Sequence, residues 1–376
     1  MAATRQAPGG AILLAALALP GLAGAENVPE QASISLKYLD YQDRQPNLER
    51  VGVHSPSLEL VLPVAGRWAL RGALVSDVIS GASPRYHTAV SGASRFSEKR
   101  HAADLSVTRY FARASATLAG GRSKETDYDS RFVSARATVS SADNNTTWLF
   151  GAGVANDRID PVNRAVNNEH KRTLDLMLGV TRVLGARDIG QLVLGHVRGR
   201  GYFSNPYKFV DARLRTHDQN SALLRWNHHF SASGATSRLS YRYTTDSYAL
   251  RSHTAQQEYV RPLKGGWTLT PSLRLYTQSA ARFYFDPVYD TRFGAPFPPG
   301  FSFAVRRDLS ADQRLAAYGA LTAGLKVEKQ LGPDTTLDFK WEQYRQRAGW
   351  RLFGSGSPGL ERFSARSIQA GVSHRW

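Results

Sequence analysis

The 376-residue chain carries 48 Lys and Arg against 31 Asp and Glu, has no cysteine, and is 42% hydrophobic. The missing cysteine excludes disulfides, thiol catalysis, c-type haem attachment and a lipid anchor on an N-terminal Cys. A formal charge of +17 commonly accompanies nucleic-acid binding, but the N-terminus argues against that partner.

Residues 1–25 open on Arg5, continue through an apolar run from Ala11 to Leu19 and finish in Leu22-Ala-Gly-Ala25 before Glu26. A basic start, a short apolar stretch and small residues at a cleavage point describe a secretory signal peptide. An N-terminal helix is the alternative, and Pro8, Pro20 and the glycines would break it. Removing Arg5 leaves 47 basic and 31 acidic residues, a surplus of 16 in an exported chain. Such a charge suits anionic lipid headgroups or an anion-selective lumen. No stretch of residues 26–376 supplies the about 18 to 20 consecutive apolar residues of a membrane helix. A closed barrel is the remaining way to span lipid.

Apolar residues at every second place recur along this region. Leu58, Leu60, Leu62 and Val64 alternate with Ser57, Glu59, Val61 and Pro63, and Trp68, Leu70, Gly72 and Leu74 follow after a short turn. The pattern returns at Val133–Val139, Trp148–Val154, Leu174–Val180, Ala222–Trp226, Leu239–Tyr243, Trp267–Leu275, Leu315–Val327, Leu337–Trp341 and Ile368–Trp376. Sixteen strands are expected, starting near residues 33, 57, 67, 101, 112, 131, 146, 172, 188, 217, 236, 253, 266, 314, 335 and 363. Those near 33, 188 and 253 are the weakest, which leaves 14 as the alternative count.

Tight turns are expected at Ala65-Gly66, Phe111-Ala112, Asp143-Asn144, Gly185-Ala186, Ser233-Gly234, Lys264-Gly265 and Gly332-Pro333. Longer polar connections fall at 43–56, 77–100, 122–130, 157–171, 199–216, 279–313 and 348–362, with a shorter one near 246–252. This alternation is that of a transmembrane barrel with short periplasmic turns and long external loops. A soluble β-sandwich would also alternate along its strands, but has no need of it in its loops. The reading is therefore all-β, a single transmembrane antiparallel barrel over residues 26–376 without a second domain. The terminal Trp376 fits an interfacial aromatic, and its strand is the one the barrel-assembly machinery would engage.

Residues 241–284, YRYTTDSYALRSHTAQQEYVRPLKGGWTLTPSLRLYTQSAARFY, together with Asp77-Val-Ile-Ser-Gly-Ala-Ser-Pro84, Ser123-Lys-Glu-Thr-Asp-Tyr-Asp-Ser130 and Gly201-Tyr-Phe-Ser-Asn-Pro-Tyr-Lys208, carry a family signature. The chain closely resembles the bacterial outer-membrane barrels grouped as domain of unknown function 3570. Arg282 stands where many relatives carry an acidic residue before the Phe-Tyr pair. The resemblance implies an outer-membrane location, and an envelope redox setting for partners.

If apolar residues face lipid, their alternates line the lumen. That set holds Arg71, Arg113, Arg136, Arg225, Arg238, Arg242, Arg274, Lys326 and Lys340 with Glu59, Asp104, Asp175, Glu328, Asp338 and Glu342, a mixed but net basic wall. It would either concentrate anionic solutes or merely salt-bridge the interior. In the 279–313 connection, Phe283, Tyr284, Phe285, Tyr289, Phe293, Phe297 and Phe301 would constrict the mouth, stack on a flat ligand, or form a plain ordered cap. The small-residue runs Asp77–Pro84 and Ser91–Ser94 suit tight loops more than binding.

Ser, His and Asp residues such as Asp246-Ser247 and Ser252-His253 supply the types for a hydrolytic site without a diagnostic arrangement. His228 and His229 would point to opposite strand faces, a poor metal pair. No enzyme activity, cofactor or metal is expected. The expected function is a porin-like channel or binding barrel for small polar solutes, anionic ones among them. The alternative is a non-conducting scaffold holding a periplasmic or lipoprotein partner.

Overall fold

The computed structural model describes residues 27–46, 48–82, 95–208, 210–287, 302, 304 and 307–376. Residues 1–25, expected to form a signal peptide, lie outside them. Alternating sequences become strands because period two puts apolar residues on one face and polar residues on the other. Sixteen strands close one antiparallel barrel: β1 (Ser33–Gln45), β2 (Leu48–Val64), β3 (Trp68–Ala82), β4 (Arg95–Tyr110), β5 (Ala114–Lys124), β6 (Tyr128–Ser140), β7 (Thr146–Ile159), β8 (Glu169–Gly185), β9 (Asp188–Gly201), β11 (Thr216–Phe230), β12 (Ala235–Asp246), β13 (Arg251–Leu263), β14 (Trp267–Gln278), β16 (Tyr318–Leu331), β17 (Thr335–Arg347) and β18 (Phe363–Arg375). Two short strands, β10 (Asp211–Ala212) and β15 (Leu309–Ser310), pair with each other in the connections.

Each barrel strand hydrogen-bonds the next along the chain, and β1 closes on β18 from Ser33↔Arg375 to Arg44↔Ser364. No barrel strand therefore presents an open edge, the condition for burying backbone amides in hydrocarbon.

Cross-strand partners share a face, so a few exposed apolar residues orient the whole ring. Leu74 pairs with Ala103, Leu105 with Gly120, Leu118 with Ala135, and Val133 with Val154. Leu74, Leu105, Leu118, Val133, Phe150, Leu176, Leu194, Leu224, Leu273 and Leu325 are all exposed, and they form the lipid-facing band. Trp68, Phe111, Trp148, Phe230, Trp267 and Trp376 lie near the short-turn end as an exposed aromatic girdle. Such rings suit an interface that is apolar on one side and wet on the other.

The short turns leave no more than five residues between strands. In the first, Ala65 and Gly66 both take positive φ, 49° and 63°, the two-residue geometry whose twist matches a β-hairpin.

At the opposite end two strands run further than alternation indicated. β2 begins at Leu48 and β4 at Arg95, where starts near 57 and 101 were expected. The β1–β2 and β5–β6 connections are correspondingly brief, because β1 runs to Gln45 and β5 to Lys124, with β6 resuming at Tyr128. Strand ends that rise above the hydrocarbon have no reason to keep an apolar outer face, so their period-two signal fades. A register shift between Gln42 and Arg44 interrupts it further.

Candidate functional site

Arg71, Arg136, Arg225, Arg238, Arg242, Arg274, Lys326, Lys340, Glu59, Asp104, Asp175, Glu328, Asp338 and Glu342 all occupy strand positions on the face opposite the lipid band. Arg113 is a correction. It sits exposed in the short turn at 111–113, because β4 ends at Tyr110 and β5 begins only at Ala114.

The inward charges divide unequally around the ring. On β2–β4, Arg71 bridges Glu59 and Asp104, the latter at 3.0 Å. On β16 and β17, Lys326 meets Glu328 at 2.7 Å and Lys340 meets Glu342 at 3.0 Å. Lys37 of β1 approaches Asp338 at 3.9 Å. These cations and acids largely neutralise one another.

The β11–β14 wall differs. Arg225 donates to the Gln191 amide oxygen at 2.9 Å, and Arg274 to that of Gln256 at 2.9 Å. Arg242 lies between them, close enough to feel both guanidinium charges. Among the described residues neither Arg242 nor Arg274 has a carboxylate within ion-pair distance. Amides orient a guanidinium without cancelling its charge, so this wall keeps a positive field. Arg238, lower on β12, has Glu258 at 3.9 Å.

One inward feature was not legible in the sequence. Leu149, Met177, Val193 and Leu223 form a buried apolar cluster on the lumen side of β7, β8, β9 and β11, and Leu223 is the cross-strand partner of Arg242. Their outward neighbours are equally apolar, which erases the alternation. Asp175, expected on this face, is 4% exposed, and its Oδ1 has no hydrogen-bond partner.

The mouth is closed down by a packed cap built from the connections after β9, β12 and β14. Tyr248, Ala281, Phe283 and Leu315 bury one another, and Phe285, Leu309 and Ala311 make a second cluster. Phe283 and Phe285 are 4% and 6% exposed, so their rings hold the cap together instead of facing solute. Tyr284 donates to Asp286 and bridges to Ser310. Tyr289, Phe293, Phe297 and Phe301 lie outside the described residues, as do Ser91–Ser94 and part of the Asp77–Pro84 run.

The cap is tied by Asp312, which is fully buried and receives Lys208 at 2.6 Å, Arg213 at 2.5 Å and Arg314. Arg213 also meets Asp211 at 2.9 Å. Although burial opposes ionisation, the surrounding cations hold the Asp312 carboxyl well below the usual range. Burial pushes the Lys208 ammonium down to about 7, against the pull of Asp312. Composition could not indicate this cluster, because its members come from separate loops.

Gln278, inward on β14, donates to the backbone oxygens of Arg314 at 2.8 Å and Ala316 at 2.7 Å, drawing that stretch into the lumen. There Gln313 and Arg314 face Tyr41, Arg50, Arg274, Tyr318 and Tyr344 across a cavity of about 370 Å3. Among the described residues no group of three His, Cys, Asp or Glu side chains could hold a metal ion.

No curated protein matches the chain. Among solved structures, it is similar to one titled "Bacterial polysaccharide outer membrane secretin", with a TM-score of 0.53, 9% identity, and 92% of this chain and 98% of that one covered. At that identity the likeness speaks for the barrel fold alone. CdiB from Acinetobacter baumannii matches with a TM-score of 0.49 and 9% identity over 90% of this chain and 60% of that one. Pseudomonas aeruginosa OccK2 (OpdF) matches at 0.45 and 11% over 93% and 99%. A family profile described as "Protein of unknown function (DUF3570)" matches residues 90–367. Most of the barrel falls within that match, and the chain belongs to this family.

Proposed function

We infer that the protein is an exported outer-membrane conduit that admits small anionic solutes through a capped lumen. The observation that carries this reading is the Arg242–Arg274 pair, which among the described residues has no carboxylate within ion-pair distance, whereas Arg71 on the facing β2–β4 wall is bridged by Glu59 and Asp104. A fixed positive field on one side of a narrow aqueous path raises the local concentration of anions and lowers their barrier to entry. The inserted Gln313–Arg314 stretch narrows that path, so solutes of modest size are favoured.

Planar-bilayer recording of the purified barrel tests the reading. Stable single-channel currents are expected, and silence from a folded barrel would instead support a non-conducting scaffold for a periplasmic or lipoprotein partner. The Arg225→Gln, Arg242→Gln double variant should conduct with weakened anion preference.

A further inference from the structure

The cavity under the inserted cap segment has the size of a small-molecule site, at about 370 Å3. Its walls come from one arc of the ring, from Tyr41 and Arg50 near the β1–β2 hairpin and, beyond β18, from Arg274, Tyr318 and Tyr344 on β14, β16 and β17, with Arg314 from the cap. We propose that this cavity is a binding subsite for a ring-bearing monocarboxylate, with the carboxylate on Arg274 and the ring against Tyr318 and Tyr344. The proposal deepens the anion-conduit reading by naming the solute class.

Charge balance leads to a single anionic group. Of the lining cations, Arg50 faces Asp43 at 3.6 Å, Arg314 is engaged by Asp312, and Arg366 stands on the outward face of β18, in step with Ile368. The lining acid Glu342 is taken by Lys340 at 3.0 Å. Arg274 alone among these has a neutral partner, Gln256, and its side chain is exposed to the lumen. One carboxylate restores neutrality there, and a guanidinium binds a carboxylate with paired, charge-assisted hydrogen bonds.

Register fixes the rest of the ligand. Arg274 pairs with Thr322 and Thr322 with Tyr344, so one strand separates the arginine from the tyrosine. Two strand spacings put their backbones about 10 Å apart, a gap that suits a carboxylate joined directly to one six-membered ring. Tyr344 is held by its hydroxyl donating to Gln346 at 2.7 Å and by an edge contact with Phe363 at 5.8 Å, so its ring is a fixed surface. An acyclic carboxylate would reach the arginine and leave the aromatic side empty.

Isothermal titration calorimetry on the full barrel in detergent, with benzoate, glucuronate, acetate and glucose, tests this without requiring conduction. At least one of the two ring acids should bind about tenfold or more tightly than acetate, and glucose should bind no better than acetate. Benzoate alone would identify an aromatic acid, and glucuronate alone a sugar acid. Arg274→Gln should weaken the ring acid by about tenfold or more, the loss of one charged hydrogen-bonding group, while Arg113→Gln in the distant turn should bind as the unmodified protein does.

The subsite is overturned if acetate binds as tightly as both ring acids, if neither ring acid binds, or if Arg274→Gln changes nothing. Currents without binding would remove the subsite and leave the conduit. Binding without currents would do the reverse.

Discussion

Asp312 is the residue on which the cap depends. Its carboxylate is fully buried among Lys208, Arg213 and Arg314, so Asp312→Asn would leave the buried Lys208 without its counter-charge and Arg213 with Asp211 alone. Breaking one side of a buried ion pair costs roughly 3–5 kcal/mol. Hydrogen exchange in residues 208–215 and 309–316 should accelerate in this variant, and unchanged protection would contradict the account.

The pH dependence has two limbs. Because the folded Asp312 carboxyl lies well below its ordinary 3.8, its contribution is complete above that value and is lost as pH falls towards the depressed one. Lys208 acts in the other direction. Its pKa is about 7 in the fold and 10.5 ordinarily, so the unfolded chain binds more protons between those values and the cap gains stability as pH rises through them. Exchange from the cap should therefore be slower at pH 9 than at pH 6 once corrected for the intrinsic rate.

Asp175 offers a contrasting case, a buried carboxylate on the wall whose Oδ1 is unpaired. Asp175→Asn should raise the unfolding free energy by about 1–3 kcal/mol, read as a higher urea midpoint, and a lowered midpoint would show a partner role for the charge. Arg71, Glu59 and Asp104 were readable as lumen residues because each stands between apolar neighbours. Asp312 and Lys208 were not, since nothing local in their loops records which distant charge they meet.

At the scale of elements, the short-turn end was the most legible, because Asp143-Asn144, Lys264-Gly265 and their equivalents carry their turn chemistry in adjacent residues. Ala65 shows the exception within that set, an alanine at φ 49°. Ala65→Gly removes a left-handed penalty of about 1 kcal/mol, so the barrel should unfold at higher urea concentration. A decrease would mean that the chain entropy of the added glycine outweighs the strain.

The long-loop end was harder to read. The β1–β2 hairpin hid in what alternation marked as a loop, because Asp43, Arg50 and Val51 face inward above the apolar band. Aromatic density in the β14–β16 connection did point to burial, and Phe283 is packed against Tyr248 at 4.8 Å. Phe283→Ala should cost the cap about 3–5 kcal/mol and expose residues 279–287 to protease in intact vesicles, with the barrel itself remaining folded.

For the molecule as a whole, the seam between β1 and β18 converts a sheet into a closed wall. It is held by its ladder, by the Ser35–Ser373 hydroxyl contact at 2.8 Å, and by reciprocal 3.1 Å backbone bonds between Ala32 and Trp376. Once closed, the ring encloses a lumen whose cations are matched by carboxylates along β2–β4 and β16–β17, while β11–β14 stays positive. That asymmetry, together with a mouth narrowed by the cap, is the physical basis of the proposed anion path. The reversal potential of single channels across a potassium chloride gradient reads this asymmetry directly. It should lie on the chloride side of zero and move towards zero when Arg242 is replaced by Gln, whereas a potassium-side potential from the unmodified barrel would contradict the account.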